Sequence, residues 1–105
     1  MKPDESPEIR RLERKLGIEL LWIFILALLK KKPSHAYAVR KLIQEEFGFL
    51  PGNVSSYVVL YKLESRGFVS TKQAENKVMY SITPGGKELL KIAKKHLQQK
   101  LDLLD

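Results

Sequence analysis

The alternation of apolar and polar positions predicts five helical segments and one β-hairpin along the chain. The fourth helix lies between Asn53 and Val69, where Asn53 is expected to cap the helix and Gly67 to end it. Helical spacing predicts one buried face, which is formed by Ser56, Val59, Leu60 and Leu63. The opposite face is expected to point outward and carries Tyr57, Val58, Tyr61, Lys62 and Ser65.

The first two helices are predicted from a cap, a proline and two apolar patterns. Ser6-Pro7 has the order typical of a helix start, and a narrow apolar stripe follows it as far as Leu16. Gly17 is expected to divide this helix from the apolar segment 18–30. The central apolar run has about ten residues, where about 20 are needed to span a bilayer, so the segment is interpreted as a helix buried on several sides. Trp22 is expected to be a core or interface aromatic within it.

A short helix, a turn and a hairpin surround the fourth segment. Ser34 is expected to cap a helix over residues 35–47, and a turn rich in Pro and Gly leads into the helix that begins at Asn53. Residues 68–73 and 77–82 alternate as two strands, joined by a turn in which Asn76 tolerates a positive φ. The order helix, turn, helix, hairpin predicts a winged helix-turn-helix, and the basic tip of the hairpin is interpreted as the wing.

The last helix is predicted to start at Thr83-Pro84. Its apolar stripe is formed by Leu90, Ala93, Leu97, Leu101 and Leu104. With Leu89, Ile92 and Leu103 beside it, this stripe is wider than a lone surface helix needs, which favours a partner helix. The lysines on the remaining sides are interpreted as a solvated face. The predicted fold class is therefore mainly α with a small β-hairpin, a winged helix-turn-helix domain plus a C-terminal dimerisation helix.

Composition and charge narrow the function. The 105 residues suit one domain, and a net charge of +7 suggests a polyanionic partner. There is no cysteine, which excludes disulfides and thiolate metal sites and fits a reducing cytoplasm. Two separate histidines, His35 and His96, do not predict a metal site, and no cofactor is expected. The Gly85-Gly86 pair lacks the spacing of a phosphate-binding loop, and no nucleophile lies near a base, so an enzyme is not expected.

The outward face of the fourth helix suggests nucleic-acid binding, because its tyrosines, serine and lysine donate hydrogen bonds, stack and carry positive charge. Two other functions remain open from the residues. One is a winged-helix module that binds another protein, which the net charge and the basic wing argue against. The other is RNA binding, for which the aromatic platforms of RNA-binding sheets are not evident.

Three segments of the chain resemble the PadR family of transcriptional regulators. LALLKKKPSHAYAVRKLIQEEFG is similar to that family's LLALL…PSHGYEL-type stretch, SSYVVLYKLESRGFV to its TVYPALYRLEEEGLV-type helix, and YSITPGG to its Y-x-LT-x-x-G strand and helix start. Together they cover roughly residues 20–90. The chain departs from the family pattern at Ala36, where glycine is usual, at Val54 and Val58, where glycine and proline are usual, and at Ser56, which replaces an apolar residue.

The resemblance implies a cytoplasmic, homodimeric DNA-binding repressor without enzymatic activity. It implies a basic N-terminal helix or arm over residues 1–17, a DNA-binding domain over 18–83 and a dimerisation helix over 84–105, with a recognition helix at 53–66 and a wing at 72–77. The double-stranded DNA, a near-palindromic operator, would be contacted by Asn53, Ser55, Ser56, Tyr57, Tyr61, Lys62, Tyr37, Lys72, Asn76 and Lys77. Tyr37 matches a tyrosine of the family that is either a core residue or a phosphate contact. The homodimer interface would include Leu21, Trp22, Ile25, Leu90, Ala93, Leu97, Leu101 and Leu104. Some members of the family bind aromatic or drug-like effectors near that interface, so a small aromatic effector is a further expected partner.

Overall fold

The structure is a computed structural model that describes all 105 residues. Its elements are α1 (Pro7–Arg14), α2 (Leu21–Lys31), β1 (Ser34–His35), α3 (Ala36–Phe47), α4 (Asn53–Ser65), β2 (Val69–Ala74), β3 (Lys77–Ile82) and α5 (Pro84–Leu103). A 3₁₀ turn at Pro3–Glu5 precedes α1, and a π-helical turn at Lys15–Glu19 joins α1 to α2. None of these helices combines the length and the apolar character needed to cross a bilayer.

Several predicted helix ends are confirmed. The Ser6 hydroxyl accepts the amide of Ile9 at the start of α1, and Thr83 Oγ1 accepts the amide of Gly86 at the start of α5, at 3.0 Å. Gly48 and Gly67 follow α3 and α4 with φ angles of 80° and 83°, a left-handed conformation that costs glycine little. These signals act within one helical turn, which is why the sequence reveals them.

Two predicted caps are wrong. The N-cap of α4 is Gly52, and Asn53 is already the first helical residue. The N-cap of α3 is His35, whose Nδ1 accepts the amide of Ala38 at 3.3 Å. Ser34 cannot take that role because it lies one residue earlier, in β1, where it pairs with Tyr80.

The sheet has three antiparallel strands in the order β1-β3-β2, where two were predicted. The strand β1 has two residues, too few for an alternating pattern to indicate it in the sequence. Strands β2 and β3 pair from Val69 with Ile82 to Ala74 with Lys77, which leaves a two-residue turn. In that turn Glu75 has the positive φ of 57°, so the expectation for Asn76 is wrong.

Helix α2 is the centre of the core, as its apolar composition predicts. It packs against α3, α4, α5 and β3. The buried core comprises Leu21, Ile25, Leu26, Leu28, Leu29, Ala36, Val39, Ile43, Leu60, Leu63, Val69 and Leu90. Helix α1, by contrast, buries no residue. The expected division near Gly17 is confirmed as the π-helical turn, in which Gly17 is buried against the ring of Phe49.

Half of the predicted dimer interface is buried within the protomer. Leu21 and Ile25 are 2% and 0% exposed in a single chain, and Leu90 and Ala93 are 4% and 8% exposed. Their side chains pack inside the protomer and leave almost no surface for a partner, which contradicts their assignment to the interface. Beyond Ala93 the apolar stripe of α5 becomes exposed, because α5 continues past the elements that cover its first half.

Gly86 is required where α5 meets the hairpin. A Cβ at this position would overlap the carbonyl oxygen of Phe68 and lie 2.8 Å from Cγ1 of Ile82. At Gly85, a Cβ would have no neighbour closer than 3.7 Å.

We expect Gly86→Ala to lower the free energy of unfolding by about 2 kcal/mol or more, since the backbone must shift to admit the methyl group. Gly85→Ala is the control and is expected to change it by less than about 1 kcal/mol. Urea denaturation measures both, and equal stability of the two variants would contradict this packing.

Candidate nucleic-acid interface

The exposed face of α4 is oriented as the helical spacing predicts. Tyr57 and Tyr61 are 52% and 70% exposed, and Lys62 lies beside them at the surface. Ser56 is on the opposite face, 1% exposed, and its hydroxyl donates to the carbonyl oxygen of Gly52 at 2.9 Å. Its predicted contact with DNA is therefore wrong, because the hydroxyl is buried and already bonded within the first turn of the helix.

The start of α4 is held by a contact that the sequence does not indicate. Arg40, on α3, donates from Nε to the carbonyl oxygen of Pro51 at 2.6 Å, and Pro51 is buried. Because Gly52 has no side chain to cap α4, the amides of the first turn remain open. Asn53 and Ser55 are exposed around them. A helix N-terminus with open amides can bind phosphate, so Arg40 positions a surface suited to a DNA backbone.

A groove of about 460 Å³ separates α4 from the wing. It brings together four predicted DNA contacts that are distant in the sequence: Tyr37, Tyr57, Asn76 and Lys77. The side chain of Tyr37 is 65% exposed, so it is not a core residue. The remaining predicted contacts that are exposed, Asn53, Ser55, Tyr61, Lys62 and Lys72, lie outside this groove on α4 and β2.

Two polar side chains that line the same groove, His35 and Tyr80, were not predicted as functional residues. Burial raises the pKa of Tyr80, and the nearby Tyr57 and Glu64 raise it further. A tyrosine hydroxyl is protonated at neutral pH even at its usual pKa of about 10, so the hydroxyl of Tyr80 can donate a hydrogen bond. The alternating pattern of β3 indicated Tyr80 only as a strand residue, since the sequence does not reveal which elements face each other across the groove.

A second cavity, of about 390 Å³, lies at the other end of α4. Its walls are apolar and come from α2, α4, α5 and the segment after α4: Trp22, Val59, Leu63, Phe68 and Leu89. The charged side chains at its edge are Glu19, Lys62 and Arg66. Trp22 is half-buried here as a wall of the cavity. No group of three or more His, Cys, Asp or Glu side chains is placed to hold a metal ion.

The helix-turn-helix, the wing and the exposed tyrosines and lysine of α4 are features of winged-helix transcriptional regulators. The sequence model of the "Transcriptional regulator PadR-like family" matches residues 25–92, which is more than half of the chain. The protein belongs to this family, whose members are transcriptional regulators and not enzymes. A comparison with curated proteins finds no match by sequence.

Solved structures of transcriptional regulators share the fold. A transcriptional regulator from Clostridium thermocellum has 20% sequence identity and a TM-score of 0.77, with 94% of this chain and 93% of that chain covered. A PadR family transcription regulator from Clostridium difficile has 25% identity and a TM-score of 0.71, with coverage of 79% and 92%. Bacillus subtilis PadR, solved in complex with operator DNA, has 29% identity and a TM-score of 0.62, with coverage of 68% of this chain and 44% of that one.

Proposed function

We propose that this protein is a sequence-specific transcriptional repressor that binds a near-palindromic operator as a homodimer. The observation that carries the proposal is the outward face of α4, on which Tyr57, Tyr61 and Lys62 are exposed beside a basic wing. The similarity to a PadR protein solved with operator DNA supports it. The proposal also makes the protein cytoplasmic, because its DNA target would lie there.

The proposed contacts divide into two classes. Tyr57, Tyr61 and Lys62 project from α4 and enter the major groove, where side chains can distinguish base pairs. The other contacts bind the backbone and fix the register without reading sequence. They comprise the amides at the start of α4 with Asn53 and Ser55, the α3 side chains Tyr37 and Arg40, and the wing residues Lys72, Asn76 and Lys77.

The proposed dimer interface uses the exposed apolar stripe of α5, formed by Leu97, Leu101 and Leu104. These side chains are 40%, 58% and 81% exposed in the single chain. A two-fold axis would bury the same stripe on both protomers at once. It would also hold two copies of α4 at a fixed separation, roughly 34 Å if they enter successive major grooves, so the operator would be a near-palindrome. The three proposed parts are the N-terminal arm (1–17), the DNA-binding domain (18–83) and the dimerisation helix (84–105).

A small aromatic effector is proposed for the cavity beside Trp22. Trp22 and Phe68 offer aromatic surfaces, and Lys62 and Arg66 suit an anionic group at its edge. Lys62 is also a proposed DNA contact, so an effector held there would compete for it. Leu89 connects the same cavity to α5 and hence to the proposed dimer interface.

The proposal predicts that Tyr57→Ala and Lys62→Ala each weaken specific binding about 10- to 100-fold, as expected for lost contacts to base edges. Both side chains are exposed, so the midpoint of thermal unfolding should stay within a few degrees of the wild type. Fluorescence anisotropy measures the affinity on an operator selected from genomic fragments. Lys95→Ala, on the polar side of α5, is the control and should bind normally.

Three other results of this experiment would contradict parts of the proposal. Normal operator binding by both variants would contradict the assignment of α4 as the recognition helix. Unfolding of either variant would mean that the orientation of α4 is wrong. If the wild-type chain ignores all DNA and instead forms a stable complex with another protein, it is a winged-helix interaction module.

A further inference from the structure

A groove on the side of α5 is lined by lysines that the proposed operator complex does not use. It has a volume of about 360 Å³ and lies between the end of α2 and the first half of α5. Its four lysines, called the lysine groove below, are Lys30, Lys87, Lys91 and Lys94. All four are exposed, and the two ion pairs of the structure involve other lysines, Lys15 and Lys31. Glu88 is the only acidic residue in the lining.

The placement of these lysines is unfavourable for the isolated fold. Lys87 is in the first turn of α5, at the positive end of the helix dipole, and that turn contains no acidic residue. Lys87 and Lys91 are four residues apart and Lys91 and Lys94 three apart, so like charges are neighbours on one helix face. Each such pair costs a few tenths of a kcal/mol in an isolated helix. Positions that break local rules in this way are typical of functional surfaces, and a polyanion would offset the repulsion.

The lysine groove and α4 lie on different sides of α5. Leu89 lines the cavity that α4 also lines, whereas its neighbour Leu90 lines the lysine groove together with Lys30. Helix α2 packs against both α4 and α5 and occupies the space between them. None of the proposed operator contacts lines the lysine groove.

We propose that the lysine groove binds the phosphate backbone of a second segment of duplex DNA, so that the protein bridges two DNA segments. The inference rests on the proposed function, since it assigns a second DNA surface to a DNA-binding protein. From Lys87 to Lys94 the helix rises about 10 Å, a length over which a duplex carries about six phosphate charges. Lysine ammonium groups on flexible stems bind such charges without reading the bases.

The lining of the groove favours DNA over an anionic membrane. Leu90 is 4% exposed, and Pro84 is the only other residue of the lining without a charge. The groove therefore has no exposed large apolar side chain to insert between lipids, which a membrane-binding surface uses beside its charge.

Capture of a second duplex tests the proposal. Operator DNA is fixed to beads, the full-length protein is bound, and a fluorescent duplex of unrelated sequence is added. We expect the wild-type protein to retain this second duplex and Lys87→Gln/Lys91→Gln to retain at least tenfold less. Single-operator affinity, measured separately in solution, should stay within about threefold of the wild type. The control Lys2→Gln/Lys100→Gln removes the same charge outside the groove and should capture the second duplex normally.

The possible results of this experiment distinguish failure of the inference from failure of the proposed function. If the wild type binds the operator but retains no second duplex, the inference is wrong and the proposed function stands. If both double variants lose capture equally, net charge and not the groove is responsible, which also overturns the inference. If the groove variant loses only single-operator affinity, the lysines bind DNA that flanks the operator, and bridging is wrong. Lysine-dependent binding to phosphatidylglycerol vesicles without duplex capture would identify a membrane surface instead. If the wild type binds no operator at all, the proposed function itself fails.

Discussion

Leu97→Glu is expected to convert the protein into a monomer that no longer binds its operator specifically. Leu97 lies in the exposed stripe of α5 that forms the proposed dimer interface. The substitution places one carboxylate from each protomer in that interface. An unpaired charge buried in this way costs several kcal/mol, enough to dissociate a modest dimer. Each recognition helix would remain folded. Each monomer would however bind its half-site alone and would lose the gain in affinity that comes from linking two recognition helices at a fixed spacing.

Size exclusion coupled to light scattering measures the mass of each variant at micromolar concentration. The matched control is Gln99→Glu, which introduces the same carboxylate two residues along α5, about 200° around the helix from Leu97. It should remain dimeric and bind the operator. A monomeric wild-type protein, or a Leu97→Glu variant that stays dimeric and binds normally, would show that the proposed dimer is wrong.

Operator affinity is expected to fall about a thousandfold or more between about 50 and 200 mM salt. The proposed complex places three cationic side chains of each protomer against phosphates, Arg40, Lys72 and Lys77, which makes six in the dimer. Each neutralised phosphate releases condensed counterions, so the logarithm of affinity falls linearly with the logarithm of salt concentration. The net charge of +7 per chain adds a further attraction to the negatively charged DNA.

Anisotropy titrations at four or five salt concentrations give the slope. Replacing the wing lysines, Lys72→Gln/Lys77→Gln, should lower the slope by about 3 to 4 for the dimer and weaken all sequences alike, since these lysines contact phosphates only. If the salt dependence of this variant has the same slope as that of the wild type, the wing does not touch DNA. An affinity that is independent of salt in the wild type would exclude the proposed complex altogether.

The features that the sequence predicts correctly depend on residues within one or two helical turns. The caps at Ser6 and Thr83, the glycine ends at Gly48 and Gly67, and the buried face of α4 all follow from local spacing. Hydrogen bonds between residues three or four apart, and the 3.6-residue period, are properties of the helix itself. For this reason the order of the helices and of the two hairpin strands, and the outward face of α4, could be predicted from the sequence.

Only the tertiary structure decides the features that join distant segments. The pairing of Ser34 with Tyr80 moves the cap of α3 to His35, and Arg40 bonds the turn before α4, eleven residues away. Along α5, Leu90 and Leu97 belong to the same periodic stripe, yet one is buried and the other exposed, because the core elements cover only the first half of the helix. Periodicity shows that a face is apolar, but which partner covers it depends on chain packing between residues far apart in sequence.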